Sequence, residues 1–523
     1  MKKSLLMTTA LVAAFSATNV CAEDWTISSK ETITDEFISR DNVTVATGGD
    51  ITISGNNSGI ISNGNFTMED GSLTASSNGG SADTGVFVRG VSSSATIENG
   101  TINLTEARIA KGEEDTDTTG DVNISGGKIT LNNQAYIEMY DTNTGSVNLS
   151  GGELNINDNS GILLDGANDF TMTGGSLTAT SNSNSADTGV FVKGNGADVN
   201  IQGGDINLTD SRIYKGNDTA TTGDINISGG NITLNKNAYI EMRKENTGNV
   251  NMTGGKLVLN ENSGLLLNTN DDQGIDGNAI KLIVNGDDAT ITANGSNQIS
   301  GDIDFTKGTI TVTNGASLTS GDIAMKSENA KIDLLGKLNT NVNGSGNLCF
   351  KNSAANVSGN VTGSSLSFDT DHSLSKAIGG TISNITALNV NKGTLTYDKD
   401  AGSIGNVSVA GGAGLDIGTN KLTATTVNFA DNSTLGLKIA SANNYGQINA
   451  NTINIGNDTT MKVTLDSGVV ANGETKSFDF LQGSVTGDFT NKIADNNRYD
   501  ISFEDGSFKI TGTASASDVV ADA

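Results

Sequence analysis

The single histidine of this 523-residue chain, His372, stands in FDTDHSLSK beside Asp369 and Asp371. A base flanked by carboxylates is what acid–base cleavage of a glycosidic bond requires. Two further acidic pairs, Asp271-Asp272 in NTNDDQG and Asp287-Asp288 in NGDDAT, are the other candidates for such work. Both sit among glycine and asparagine and read as turns, and a lone histidine beside two aspartates in a loop reads as a solvated residue. Leu465-Asp466-Ser467-Gly468 is the nearest string to a serine nucleophile, and it has no separate domain to hold a triad. The glycine pairs in GGDITI and GGKITL lack the GGxGxDx calcium repeat, and no phosphate loop or zinc spacing is present. The sequence therefore points to no catalytic residue, no metal site and no cofactor.

A second set of residues recurs instead of clustering. Phe87 with Arg89 returns as Phe191 with Lys193, and Arg108 with Lys111 returns as Arg212 with Lys215. Basic side chains kept in place within an acidic repeat are candidate contacts for an acidic glycan, or a local balance of charge. The six candidate ligand contacts are Arg89, Lys193, Arg108, Arg212, Lys111 and Lys215.

The elements that carry these residues are written in the repeat itself. Residues 120–139 read GDVNISGGKITLNNQAYIEM and residues 223–242 read GDINISGGNITLNKNAYIEM, identical at sixteen of twenty positions. Val122 and Ile124 precede Gly126-Gly127, and Ile129 and Leu131 follow, so apolar residues alternate on both sides of a glycine turn. Equivalent units begin at Phe66, Ala95, Val147, Phe170, Val199, Ile225 and Val250, and their closing glycines lie 29, 27, 25, 23, 29, 26 and 25 residues apart. Tyr136 to Met139 and Tyr239 to Met242 supply a third strand. A period in the twenties with about three strands predicts a solenoid: all-β, a right-handed parallel β-helix.

Four units make a repeat of about 104 residues, written twice over 66–169 and 170–272. The second copy lacks one residue between 217 and 222 relative to 113–119, so that segment is expected to project from the coil as an exposed loop. Asn123, Asn148, Asn200, Asn226 and Asn251 alternate with core residues and are expected to stack outward as an amide ladder. Asn132, Asn157, Asn235 and Asn260 follow the second strand and are expected to take left-handed corner conformations.

Composition bounds the setting. The chain has 66 glycines, no proline and 4% aromatic residues, with a formal charge of −28. It carries 31 basic against 59 acidic side chains, or 29 against 59 once Lys2 and Lys3 depart with a leader, which repels nucleic acid and anionic lipid. Residues 1–22 read as a secretory signal peptide, with Met1-Lys2-Lys3, an apolar run from Ser4 to Phe15, and a small-residue exit at Ala22. Cys21 would leave with it, and Cys349 would remain unpaired.

Beyond residue 270 the unit loosens, as in GDIDFTKGTITVTNGASLTSGDIAM from Gly301. The region ANNYGQINANTINIGNDTTMKVTLDSGVVANGETKSFDFLQGSVTGDF from Ala442, followed by NNRYDISFEDGSFKITG, resembles the closing coils of a bacterial autotransporter passenger of the pertactin-like, adhesin-like kind. With the repeats and leader, the resemblance covers nearly all of the mature chain. It implies a regular helix over 23–270, a looser one over 271–441, a capping, autochaperone-like segment over 442–512 and a disordered tail over 513–523. The outer-membrane barrel of that family is missing from this sequence, so any membrane link is expected through a separate or missing barrel.

The function implied is a secreted or surface-exposed adhesin or structural stalk, monomeric and not an enzyme. Its partner would be a host or cell-surface glycan or protein. A polysaccharide-degrading β-helix enzyme, of the pectate lyase or polygalacturonase type, is the alternative.

Overall fold

The computed structural model describes residues 23–77, 83–113, 115–182, 187–217, 219–243, 245–269, 280–495, 498–504 and 507–513. The expected leader, Asp271-Asp272 and all of the tail after residue 513 lie outside these residues. No described helix is long and apolar enough to cross a membrane.

The chain is a parallel β-helix. In the coil quoted above the strands are Val122–Ile124, Lys128–Asn132 and Tyr136–Met139, and each pairs in parallel with its counterpart 25 residues on, in Val147–Leu149, Glu153–Asn157 and Gly161–Leu164. Val122 stacks on Val147, Ile129 on Leu154 and Ile137 on Ile162, and all six side chains are fully buried. Alternation puts every second side chain inward, and stacking turns those residues into columns. The bend between the first two strands needs glycine. Gly127 has φ 74°, and a Cβ on Gly126 would lie 2.1 Å from the carbonyl oxygen of Glu98 one coil below.

Among the described residues the first two strands of successive coils belong to one 34-stranded sheet, and the third strands form a 14-stranded sheet from Phe37–Arg40 to Asn356–Val357. The two columns of the large sheet merge where Leu282–Ala293 and Ile303–Val312 each run through as a single strand, then separate again. A short helix, Leu374–Ala377, capped by Ser373, marks a change in the third face. A seven-stranded sheet that starts at His372–Ser373, directly before the helix, takes that face over, up to Asn491–Ala494. One apolar cluster runs unbroken from Ile27 to Ile510.

The two ends close differently. In the first coil, Glu31 and Arg40 occupy register positions that hold Ile51 and then Leu73, and Ser62 and then Val88, in the coils above. The Arg40 guanidinium lies 5.5 Å from the centre of the Trp25 ring. Charged residues in core registers end the column and discourage further strand pairing. At the other end, Thr475–Phe478, Tyr499–Glu504 and Ser507–Gly512 form an antiparallel sheet that buries Phe478, Phe480, Phe508 and Ile510.

The first amide ladder forms as expected: Asn148 Nδ2 donates to Asn123 Oδ1 at 2.9 Å, and Asn251 to Asn226 at 3.0 Å. The corner expectation needs correction. Asn132, Asn157, Asn235 and Asn260 remain in or beside the second strand and build a second ladder, with Asn157 donating to Asn132 at 3.0 Å and Asn260 to Asn235 at 2.8 Å. The left-handed residues are the next two, Asn133 and Gln134, Asp158 and Asn159, Lys236 and Asn237, Glu261 and Asn262. Stacked amides gain a hydrogen bond by staying extended, so the bend falls one residue later.

Candidate functional site

The repeated basic residues gather along the third strand and the corner that follows it. Arg108 opens the strand Arg108–Lys111, between Gly85 below and Tyr136 above. Its Nη1 lies 2.5 Å from Glu138 Oε2, with the two side chains 12% and 14% exposed. The second copy repeats the pair: Arg212 lies 2.5 Å from Glu241, at 22% and 8% exposure. Burial pushes the Glu138 carboxyl up from its ordinary range, and the facing Arg108 opposes that shift. The third strand begins on glycine in alternate pairs of coils because the backbones approach closely there. A Cβ on Gly85 or Gly189 would meet the carbonyl of Arg108 or Arg212 at 1.9 Å.

Arg89 and Lys193 sit further out and differ in partner. Arg89 Nη1 is 3.5 Å from Glu113 and its guanidinium carbon 6.0 Å from the Phe87 ring centre, whereas Lys193 Nζ is 3.3 Å from Asp165. At 33% to 46% exposure, such pairs add little to stability. Of the six candidate contacts, only these two keep substantial access to solvent.

Lys111 and Lys215 are wholly buried. Lys111 Nζ donates to the Gly90 carbonyl at 3.1 Å, and Lys215 Nζ to that of Gly194 at 3.0 Å. Burial draws both ammonium groups down to about 8, an effect opposed by Asp121 for Lys111 and by Asp198, Asp169 and Asp224 for Lys215. In this closed arrangement neither lysine offers surface to a ligand.

Those aspartates belong to a column that sequence reasoning missed. At most coils the residue just before the first strand uses its side chain to accept the backbone N–H of the equivalent residue one coil on. Asn42 accepts from Asn65 at 2.8 Å, Asn65 from Ser94 at 2.9 Å, Asp121 from Ser146 at 2.8 Å, and Asp169 from Asp198 at 2.7 Å. Asp198 accepts from Asp224, and Asp224 from Asn249, both at 2.7 Å. The signal was available, since Asn, Asp or Ser directly precedes every unit from Phe66 to Val250.

The acid–base candidates are coil fasteners too. Ser373 N–H donates to His372 Nδ1 at 2.9 Å, which leaves the proton on Nε2 to donate to the Ala355 carbonyl at 2.9 Å. The ring stands edge-on to Phe350 and Phe368, at 5.6 and 5.7 Å. Asp371 accepts from the Thr394 N–H at 2.6 Å, and Asp369 from Asn391 Nδ2 at 2.9 Å. His372 lines a depression of about 380 Å³ with Asp371, Lys376 and Thr394, yet both ring nitrogens are already engaged. Asp287 and Asp288 are exposed, with Asp287 3.5 Å from Lys307. Asp466 pairs with Lys438 at 3.0 Å. Among the described residues no three His, Cys, Asp or Glu side chains group to hold a metal ion. The Cys349 thiol is buried and pushed up to about 11 by that burial.

The loop containing 113–119 leaves the coil with Glu113, Asp115, Asp117 and Thr119 exposed, and is pinned through buried Thr118, which bridges to Asn143. Thr221 and Asn246 repeat that pin in the second copy.

The fold thus defines the class, a parallel β-helix whose repeated polar residues are spent on binding one coil to the next. No family model matches the chain, and no curated protein matches it.

Proposed function

We propose that this chain is the extracellular stalk or adhesin passenger of a Gram-negative surface protein, without catalytic activity of its own. The observation that carries the reading is the single apolar column from Ile27 to Ile510, bound coil to coil by side-chain ladders. Such a body is stiff because bending it breaks many hydrogen bonds in register, and at about 4.8 Å per coil it reaches on the order of 100 Å. A stiff rod holds the exposed loops near 113–119 and 217–222 away from a surface, where weak contacts add by multivalency. The sequence features of 1–22 and of 442–512 support export and the passenger resemblance. The partner is a host or cell-surface glycan or protein, and attachment to the outer membrane runs through a barrel outside this sequence. The pairing of Arg108 and Arg212 with buried glutamates leaves Arg89 and Lys193 as the basic contacts.

The test is topological and adhesive. Protease added to intact cells producing the whole protein should cleave this chain, and deleting its gene should lower attachment to glycan- or protein-coated surfaces. Retention inside the outer membrane, or release of unsaturated or reducing sugars from a polysaccharide by the purified chain, would overturn the reading.

A further inference from the structure

Two lysines fill positions built for apolar side chains. Lys111 stacks between Val88 and Met139, and Lys215 between Val192 and Met242. An ammonium carries three protons, and each of these two ammonium groups donates to one carbonyl, that of Gly90 or Gly194. The charged groups that face them are Asp121 for Lys111 in the first copy, and Asp198, Asp169 and Asp224 for Lys215 in the second.

What shuts each lysine in is the arm that returns from the exposed loop. Thr119 N–H binds the Val91 carbonyl at 2.6 Å, and Asn143 Nδ2 donates to Thr118 Oγ1 at 3.0 Å. Gly120 then lies directly on the lysine stem: a Cβ there would be 3.3 Å from Lys111 Cε, and one on Gly223 would be 3.0 Å from Lys215 Cε. Both glycines have positive φ, 105° and 115°. The second arm is pinned differently: Thr221 Oγ1 and Asn246 Nδ2 are buried without the bond their counterparts make, while the Thr222 N–H and hydroxyl both donate to Asn195 Oδ1, at 2.9 and 3.1 Å.

We propose that the arms Thr118–Asp121 and Thr221–Asp224 are proton-linked flaps, which swing off the coil to release a lysine ammonium into water and latch when that lysine is neutral. This holds whatever the rod attaches to. The sign follows from linkage. Closed, each lysine titrates at about 8, and released, at its ordinary value of 10.5. Above the released value both states are neutral and the arm is most firmly shut. As pH falls toward 8 the open state gains protons first, so opening rises by about 300-fold, and below 8 it levels off.

Amide hydrogen exchange of the full chain, compared at equal pH with Lys111→Met and Lys215→Met, tests the proposal because intrinsic exchange rates cancel. Lys111→Met should slow exchange over 118–121 by about 200-fold at pH 7.5 and only about 10-fold at pH 9.5, with 221–224 unchanged. Lys215→Met should do the reverse. A ratio equal at both pH values, or faster exchange in the variant, would overturn it. Should a variant not fold, ε-carbon resonances of labelled lysine in the unaltered chain decide: two titrating near pH 8 support the flaps, and none below pH 10 refutes them.

Discussion

Each buried ion pair replaces solvent with one counter-charge, and removing one partner strands the other. Arg108 and Glu138 are the sharpest case, at 12% and 14% exposure. Glu138→Leu alone is expected to destabilise by about 3–5 kcal/mol, because the guanidinium stays buried without its carboxylate. Replacing both residues by leucine should recover most of that loss, and a chemical denaturation cycle over the four proteins measures it. If the double variant loses the sum of the two single losses, the pair is not coupled. The Glu138 carboxyl also favours its protonated form when folded, so that group alone makes stability fall as pH rises through its raised value. At this scale the sequence was half legible. It marked Arg108 and Lys111 as recurring, but the facing glutamate stands 30 residues away and only the coil brings it near. His372 misled for a related reason. In one dimension it reads as a solvated loop residue, but in three its ring is buried and its two aspartates are each committed to the adjacent coil.

Strands and corners were read more fully, because alternation is local and stacking repeats it. The glycine pairs, the third strand at Tyr136–Met139 and the outward asparagines all lie where periodicity put them. The corner after the second strand did not, since an amide ladder competes with the bend and holds Asn132 and Asn157 extended. Ladders make a specific expectation about substitutions. Asn226 donates to Asn200 at 3.0 Å and accepts from Asn251 at 3.0 Å, so Asn226→Ala removes two bonds and should cost about 1–2 kcal/mol. Asn226→Asp still accepts from Asn251 but sets a carboxylate against the Asn200 Oδ1, so it should also destabilise, and thermal unfolding compares them. Asp224→Ala should cost more than Asn226→Ala, because it frees the Asn249 backbone N–H and removes a charge facing Lys215. If Asp224→Ala proves silent, the aspartate column is ornamental. Gly126→Ala should be harsher than either, as its Cβ would sit 2.1 Å from a backbone oxygen.

At the scale of the whole molecule, a solenoid is additive in a way that globular domains are not. Each coil touches chiefly its neighbours, so whole repeats can leave without disturbing the remainder. The internal duplication supplies a clean excision. Asn65 precedes Phe66 as Asp169 precedes Phe170, and the stacking columns on either side match. Deleting residues 66–169 joins Asn65 to Phe170 and removes four coils, about 19 Å of rod. The shortened chain should keep its all-strand circular dichroism and a single unfolding transition, while small-angle scattering reports a maximum dimension lower by that amount. Cutting out two and a half coils should not fold, because the inward columns would meet outward ones. An intact rod after that misregistered deletion, or no change in length after the registered one, would mean that stacking does not set the dimension of this protein. Should length fall while attachment to a coated surface also falls in proportion, reach rather than any single contact is what the two copies were duplicated to provide.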